Sequence, residues 1–171
     1  FEDKMDLFNY LIGHCGSIKM MYIKDINREN YPSFWDYWFA LIQAGVQFDR
    51  EHPIETNFMY NLSKHIDAPS LKDFKAQYNS QSQMALENMI QPEIASGQIR
   101  SDIPINVIAY FIKNTNIQMM EFIKSNFNDE IIDNIQFGRP LFGINHPQEI
   151  ENIAHLYIKL MQSALSNQQT Q

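Results

Sequence analysis

The chain has 171 residues, of which 44% are hydrophobic, and its formal net charge is −7 at pH 7. This length and apolar content fit one domain with a substantial core, and the negative charge disfavours nucleic-acid binding by these residues themselves. The single cysteine excludes an intrachain disulfide and a thiolate zinc site of the finger type, and it suits a reducing compartment.

Polar residues interrupt every apolar stretch, so no run reaches the roughly 20 apolar residues of a membrane helix. Because no signal sequence is visible, we expect a cytoplasmic protein without membrane contact. With only 6 glycines and 7 prolines, the chain favours an all-α fold of about six main helices. In chain order, the spacing of apolar residues and the chain breaks predict six main helices, over Phe1–Asn27, Phe34–Arg50, Pro53–Ile66, Leu71–Ser96, Pro104–Phe127 and Pro147–Leu165. A short helix is predicted over Asp129–Phe137.

The helix predicted over Pro104–Phe127 is expected to be central to the fold. One side carries an apolar stripe at core-facing spacing, made of Ile108, Phe111, Ile112, Thr115, Met119, Phe122 and Ile123. Tyr110 and Ile117 point the other way, so a second apolar strip exists. The amides of Asn114 and Gln118 lie between the strips. We therefore expect this helix to pack on its own core, border a ligand cavity and contact a partner chain.

The last predicted helix, Pro147–Leu165, also carries two apolar stripes. The first consists of Ile150, Ala154, Tyr157, Met161 and Ala164, and the second of Ile153, Leu156 and Leu160. Two stripes on a terminal helix indicate that one faces the core and the other faces a partner chain.

Helix ends are marked by residues with suitable cap chemistry. Ser33 predicts an N-cap, with Asp36 as an acidic residue in the following first turn. Gly97 predicts a left-handed helix stop, and Pro104 suits the first turn of the next helix. Asp102 or Ile103 would then be the cap of that helix, and Asp102 is the better chemical candidate.

Recurring catalytic motifs, such as a G-x-S-x-G elbow or a phosphate-binding loop, are absent from the sequence. Glu151 and His155 lie four residues apart, but no second helix repeats the pattern as a di-iron bundle would require. The acidic cluster of Asp129, Glu130 and Asp133 is explained by the dipole of a helix start. We therefore predict no catalytic residue, no metal site and no cofactor.

Two segments resemble a known family. Residues Phe1 to Phe8 resemble the F-x-x-K-x-x-L sequence that follows the recognition helix in the TetR family of bacterial regulators. Residues Glu93 to Ile103 resemble that family's helix–Gly–x–[IL]–R–x–D junction before its penultimate long helix. The order of the predicted helices also matches the family over essentially the whole chain.

The resemblance implies a transcriptional repressor whose helix-turn-helix head precedes this chain and binds operator DNA. Since Phe1 cannot be an initiator, we expect such a segment upstream of it. On this interpretation residues 1–27 form the linker helix, residues 28–171 form the effector-binding and dimerisation body, and no residue of this chain reads DNA bases. The resemblance also implies a homodimer, in which the last two long helices form a four-helix bundle through Ile117, Met120, Tyr157 and Met161.

A pocket for a small, mostly apolar effector is expected among the helices that begin at Phe34, Ile54, Leu71 and Pro104, by analogy with the family. Its predicted lining is Trp35, Trp38, Phe39, Phe58, Tyr78, Phe111, Asn114, Gln118 and Met119. Effector binding would shift the linker helix like a lever and change the spacing of two DNA heads. Two other functions stay open: an all-helical enzyme acting on an apolar substrate, and a helical protein-interaction module.

Overall fold

A computed structural model of the chain describes residues 1–142 and 145–167, and these residues form an α-helical fold. Its seven α-helices are α1 (Lys4–Ile23), α2 (Phe34–Glu51), α3 (Pro53–His65), α4 (Lys72–Ala95), α5 (Ile105–Asn126), α6 (Asn128–Gln136) and α7 (Pro147–Leu165). Short 3-10 turns at Arg28–Asn30 and Pro69–Leu71 precede α2 and α4. The predicted all-α fold and order of helices are confirmed, while the predicted polar tail at 168–171 lies outside the described residues.

Two of the predicted helix ends are confirmed and one is wrong. The Ser33 hydroxyl oxygen accepts a hydrogen bond of 3.1 Å from the backbone N–H of Asp36, and Gly97 has a φ of 78°. Asp102, however, does not cap α5, because its carboxylate is bound by the guanidinium of Arg100 at 2.6 and 2.7 Å. Pro104 itself occupies the N-cap position of α5, and no side chain caps that end.

The larger of two core clusters joins α2, α4, α5 and α7. Its buried members are Phe34, Trp35, Leu86, Ile90, Ile99, Ile108, Ala109, Ile112, Ile158, Met161 and Leu165. Trp38 and Phe39 pack against this cluster while remaining partly exposed. The two tryptophans of α2 therefore contribute to the core of the chain itself.

The smaller cluster lies at the other end of α5, where α6 and the start of α7 meet it. Its buried members are Met119, Ile123, Ile131, Leu141, Phe142, Ile150 and Ala154. Helices α5 and α7 contribute to both clusters in opposite chain order, which makes them an antiparallel pair.

An ion pair between the half-buried Arg28 and the buried Glu93 joins the 3-10 turn before α2 to the last turn of α4. The Arg28 guanidinium donates to both carboxylate oxygens of Glu93, at 2.7 and 3.0 Å, and to the backbone oxygen of Tyr31 at 2.8 Å. The side-chain oxygen of Gln98 accepts from Arg28 at 3.2 Å and from the backbone N–H of Phe34 at 3.0 Å. Glu93 is only 4% exposed, so its charge depends on this partner.

The turn that follows α4 also holds the end of α7. Gly97 reverses the chain, and the backbone N–H of Arg100 then donates to the carbonyl of Leu165 at 2.9 Å. The Arg100 guanidinium reaches the carbonyl of Ala164 at 3.3 Å. The sequence motif between Glu93 and Asp102 therefore connects α2, α4 and α7 in three dimensions.

Helix α1 packs on α2 and α3. Tyr22 makes an edge-on ring contact with Phe48, and Phe8 makes similar contacts with Phe58 and Phe74. Cys15, which lies on the same side of α1, is buried. Among the described residues no helix is long and apolar enough to span a bilayer.

We predict that Arg28→Met lowers the free energy of unfolding by about 3 kcal/mol, because the nearly buried Glu93 carboxylate loses the guanidinium that pairs with it. Chemical denaturation followed by circular dichroism measures this loss. The matched control is Lys75→Met, which removes an exposed ion pair with Asp67 and should cost less than about 1 kcal/mol. Equal losses in the two variants would contradict a special role for the Arg28–Glu93 pair.

Candidate ligand clefts and dimer face

Helices α5 and α7 share an outward surface that is rich in exposed apolar side chains. We call this surface the outer face, and its apolar members are Val107, Tyr110, Phe111, Ile117, Phe122, Ile153, Leu156, Tyr157 and Leu160. The rings of Phe122 and Tyr157 lie 6.1 Å apart, which joins the α5 and α7 parts into one surface. Leu156 and Leu160 are 61% and 64% exposed, which is unusual for leucines in a helix that is also part of the core.

Several residues predicted for the effector pocket or the dimer interface lie elsewhere in the structure. Phe111 and Gln118, predicted to line an internal pocket, are exposed on α5 instead. The side-chain amide of Asn114 donates to the carbonyl of Tyr110 within the same helix at 2.7 Å. Met161, predicted at the dimer interface, is fully buried in the chain's own core and offers no surface to a partner. The cause is that Met161 belongs, with Ile150 and Ala154, to the stripe of α7 that the chain's own core covers.

The other three residues predicted at the dimer interface keep some exposure. Ile117 is 47% exposed, and Met120 and Tyr157 are partly buried. Both of the partly buried residues pack against the smaller core cluster with the rest of their surface open. Their role in an interface stays a prediction.

Two clefts follow the groove between α2 and α7. Cleft A, of about 540 Å³, lies beside the start of α2 and is lined by Ser33, Trp35, Asp36, Phe39, Asn152, His155, Leu156, Ile158, Lys159 and Gln162. Cleft B, of about 410 Å³, lies beside the end of α2 and is lined by Phe39, Ile42, Gln43, Val46, Gln47, Arg50, Glu51, Pro147, Ile150, Glu151 and Ala154. Both volumes are in the range of small-molecule sites.

A ring stack separates the two clefts. Phe39 from α2 lies against His155 from α7 with 3.9 Å between the ring centres. Trp35 lines cleft A and Phe39 lines both clefts, so the structure brings together two of the predicted pocket residues. The groove containing both is bordered by α7, a helix that the predicted pocket did not include.

The remaining predicted pocket residues are spread over the molecule. Trp38 donates a weak hydrogen bond of 3.4 Å to Asn116, and Phe58 packs on Phe8 of α1. Tyr78 is 48% exposed on α4, whereas Met119 is buried in the smaller core cluster. These side chains do not line cleft A or cleft B, and their role in ligand binding stays a prediction.

A buried carboxylate anchors the chain between α6 and α7. Asp49, near the end of α2, accepts from the backbone N–H groups of Leu141 and Phe142 at 2.8 and 2.7 Å. Burial raises the pKa of this carboxyl, while the two backbone donors act in the opposite direction. Sequence reasoning missed Asp49, since its partners lie about 90 residues away and no local signal marks the contact.

The next acidic residue on α2 contacts α1 instead. The hydroxyl of Tyr22 donates to Glu51 at 2.5 Å, and the amide of Gln47 donates to the same carboxylate at 3.0 Å. The hydrogen bond to Glu51 raises the pKa of Tyr22 to about 12. The end of α2 is therefore attached to α1 through Glu51 and to the α6–α7 connection through Asp49.

The described residues contain no cluster of three or more histidine, cysteine or carboxylate side chains that could hold a metal ion. Glu151 accepts a long hydrogen bond of 3.4 Å from Gln43, and His155 stacks on Phe39. This pair therefore contributes to the clefts between α2 and α7 rather than to an acid–base arrangement.

The helical order and the antiparallel α5–α7 pair define an all-α fold with an exposed apolar surface on its last two long helices. A solved structure with this fold is that of a TetR family transcriptional regulator from Chloroflexus aurantiacus J-10-FL, with a TM-score of 0.73 and 16% sequence identity. The likeness covers 98% of this chain and 76% of that one. No protein-family model and no curated protein sequence matches the chain. The resemblance read from the sequence is thus confirmed as a shared fold.

We predict that Asp49→Ala lowers the free energy of unfolding by about 2 kcal/mol or more, because two buried backbone N–H groups lose their acceptor. Urea denaturation measures the effect. The exposed Asp133 of α6 supplies a control, since Asp133→Ala should change stability by less than about 0.5 kcal/mol. A fully stable Asp49→Ala protein would show that the α6–α7 connection does not need this anchor.

Proposed function

We propose that this chain is the regulatory body of a TetR-like transcriptional repressor. It forms a homodimer, binds a small and mostly apolar effector, and controls operator DNA through a helix-turn-helix segment that precedes it. The observation that carries the proposal is a fold shared over 98% of the chain with a TetR family regulator. That regulator extends beyond the match, since only 76% of its chain is covered. The proposed role is non-enzymatic and cytoplasmic.

Dimerisation through the outer face is supported by its exposure and its position. Leu156 and Leu160 lie on successive turns of α7, and each is more than 60% exposed. Burial of these two side chains against a second copy would stabilise a dimer. In a two-fold dimer the same surface is used twice, so α5 and α7 of both copies would form a four-helix bundle. Phe111 and Gln118 then belong to this interface rather than to the effector pocket.

Effector binding is supported by the groove between α2 and α7. Cleft B has six apolar lining residues beside five polar ones, whereas the lining of cleft A is mostly polar, so cleft B fits a mostly apolar effector better. Because Glu51 at the end of α2 holds Tyr22 of α1, a ligand that moves α2 also moves the proposed linker helix. Such a movement would change the separation of two DNA heads and hence operator affinity.

The dimer proposal predicts that Leu160→Glu converts the protein to a monomer, because each interface would then bury an unpaired carboxylate. Size-exclusion chromatography with light scattering at micromolar concentration gives the mass directly. Met84→Glu, at an equally exposed methionine of α4, should leave the dimer intact. A monomeric parent protein, or a dimeric Leu160→Glu variant, would disprove the use of this face.

The DNA-binding proposal predicts that the coding DNA upstream of Phe1 encodes a basic helix-turn-helix of roughly 50 residues. The full-length protein should then enrich genomic fragments containing two half-sites about one helical turn, or a multiple of it, apart. An unrelated upstream sequence, or no enrichment above random fragments, would remove the repressor function.

A further inference from the structure

Cleft B differs from an ordinary surface groove in the composition of its floor. The floor contains six apolar side chains, three from each of two helices: Phe39, Ile42, Val46, Pro147, Ile150 and Ala154. The polar lining residues are Gln43, Gln47, Arg50 and Glu51 of α2 and Glu151 of α7, and the four from α2 are exposed, which puts them at the rim. A ligand that occupied the cleft would therefore place an apolar body inside and a polar end at the rim.

The hydrogen bonds at the rim leave one strong donor unused. Glu51 accepts from Tyr22 and Gln47, and Glu151 accepts from Gln43. Within residues 1–142 and 145–167, none of the ion pairs involves the guanidinium of Arg50. A guanidinium presents five N–H donors in a planar fork that matches a carboxylate.

Arg50 is the cation among the residues that line cleft B. The two carboxylates of the same lining, Glu51 and Glu151, already accept hydrogen bonds from Tyr22, Gln47 and Gln43. Pro147, the first residue of α7, lines the same cleft, and no side chain caps the start of that helix. The positive end of the α7 dipole therefore adds to the charge of Arg50.

We propose that cleft B binds a small amphipathic carboxylate, whose apolar body lies on the floor between Phe39 and Ile150 and whose carboxylate is bound by Arg50. This inference rests on the proposed function, for which it names the chemical class of the effector. It also assigns Arg50, which the predicted pocket did not contain, as the residue that recognises the charged group.

The position of Arg50 gives such a ligand a route to the rest of the molecule. The residue before it, Asp49, holds the backbone of Leu141 and Phe142, and the residue after it, Glu51, holds α1. A carboxylate bound at Arg50 therefore acts on the turn of α2 from which both attachments begin. Ligand binding changes the position of α1 or of the α6–α7 connection only if the ligand binds one position of this turn more tightly than another.

The test uses three eight-carbon probes that differ only in their polar end: octanoate, octan-1-ol and octylamine. Isothermal titration of the 171-residue chain should show saturable octanoate binding that is tighter than binding of the alcohol or the amine. Arg50→Gln should weaken octanoate about tenfold or more and leave the alcohol unchanged, because a hydrogen bond to a charged group is worth at least about one decade of affinity. The alcohol also reports whether the variant keeps its cleft.

Two further variants complete the experiment. Arg139→Gln removes an exposed arginine that lies over the ring of Phe137, outside the cleft, and should leave octanoate binding unchanged. Val46→Trp fills the cleft and should abolish binding of all three probes. Unchanged octanoate binding in Arg50→Gln or in Val46→Trp would overturn the assignment. Tighter binding of octylamine than of octanoate would also overturn it, and would indicate that Glu151 binds the polar end of the ligand. Since no DNA is present, failure here leaves the repressor proposal standing, and failure of operator binding leaves the octanoate result standing.

Discussion

The buried pair between Arg28 and Glu93 is the constraint on which the arrangement of the helices depends. The Glu93 carboxylate is 4% exposed and therefore needs partners for its charge, which the Arg28 guanidinium supplies. Arg28 meets this requirement from the turn before α2, and Gln98 extends the network to the first N–H of that helix. The turn after α4, which contains Gln98, also binds the end of α7, because the backbone N–H of Arg100 donates to Leu165. These contacts together position the two helices that form both clefts.

Helix α7 has three sides, which lie in three different environments. Ile158 and Met161 are buried with α5 in the larger core cluster, whereas His155 faces α2 and stacks on Phe39. Leu160 points outward from the third side. Under the proposed function, the effector groove and the dimer interface therefore share one rigid element, so a ligand between α2 and α7 would bear directly on the packing of the two copies.

The last turn of α2 shows how three consecutive residues acquire separate roles. Successive side chains of an α-helix differ by about 100° in direction, so Asp49, Arg50 and Glu51 face different surroundings. Asp49 is buried against the α6–α7 connection, Arg50 and Glu51 both border cleft B, and Glu51 is also bonded to α1. This turn is consequently the place where the groove, the proposed linker helix and the core come together.

Most of the helices and the caps at Ser33 and Gly97 could be predicted from the sequence, because helix spacing and cap chemistry act over a few neighbouring residues. The all-α fold and its family resemblance followed from the order of those elements.

Only the tertiary structure decided that Phe111 faces outward and Met161 inward, since a helix with two apolar stripes does not encode which one its own chain will cover. The clefts and the Asp49 anchor depend on residues about 90 to 110 positions apart. Such contacts leave no local pattern, because they arise from packing between distant helices rather than from the propensity of either one.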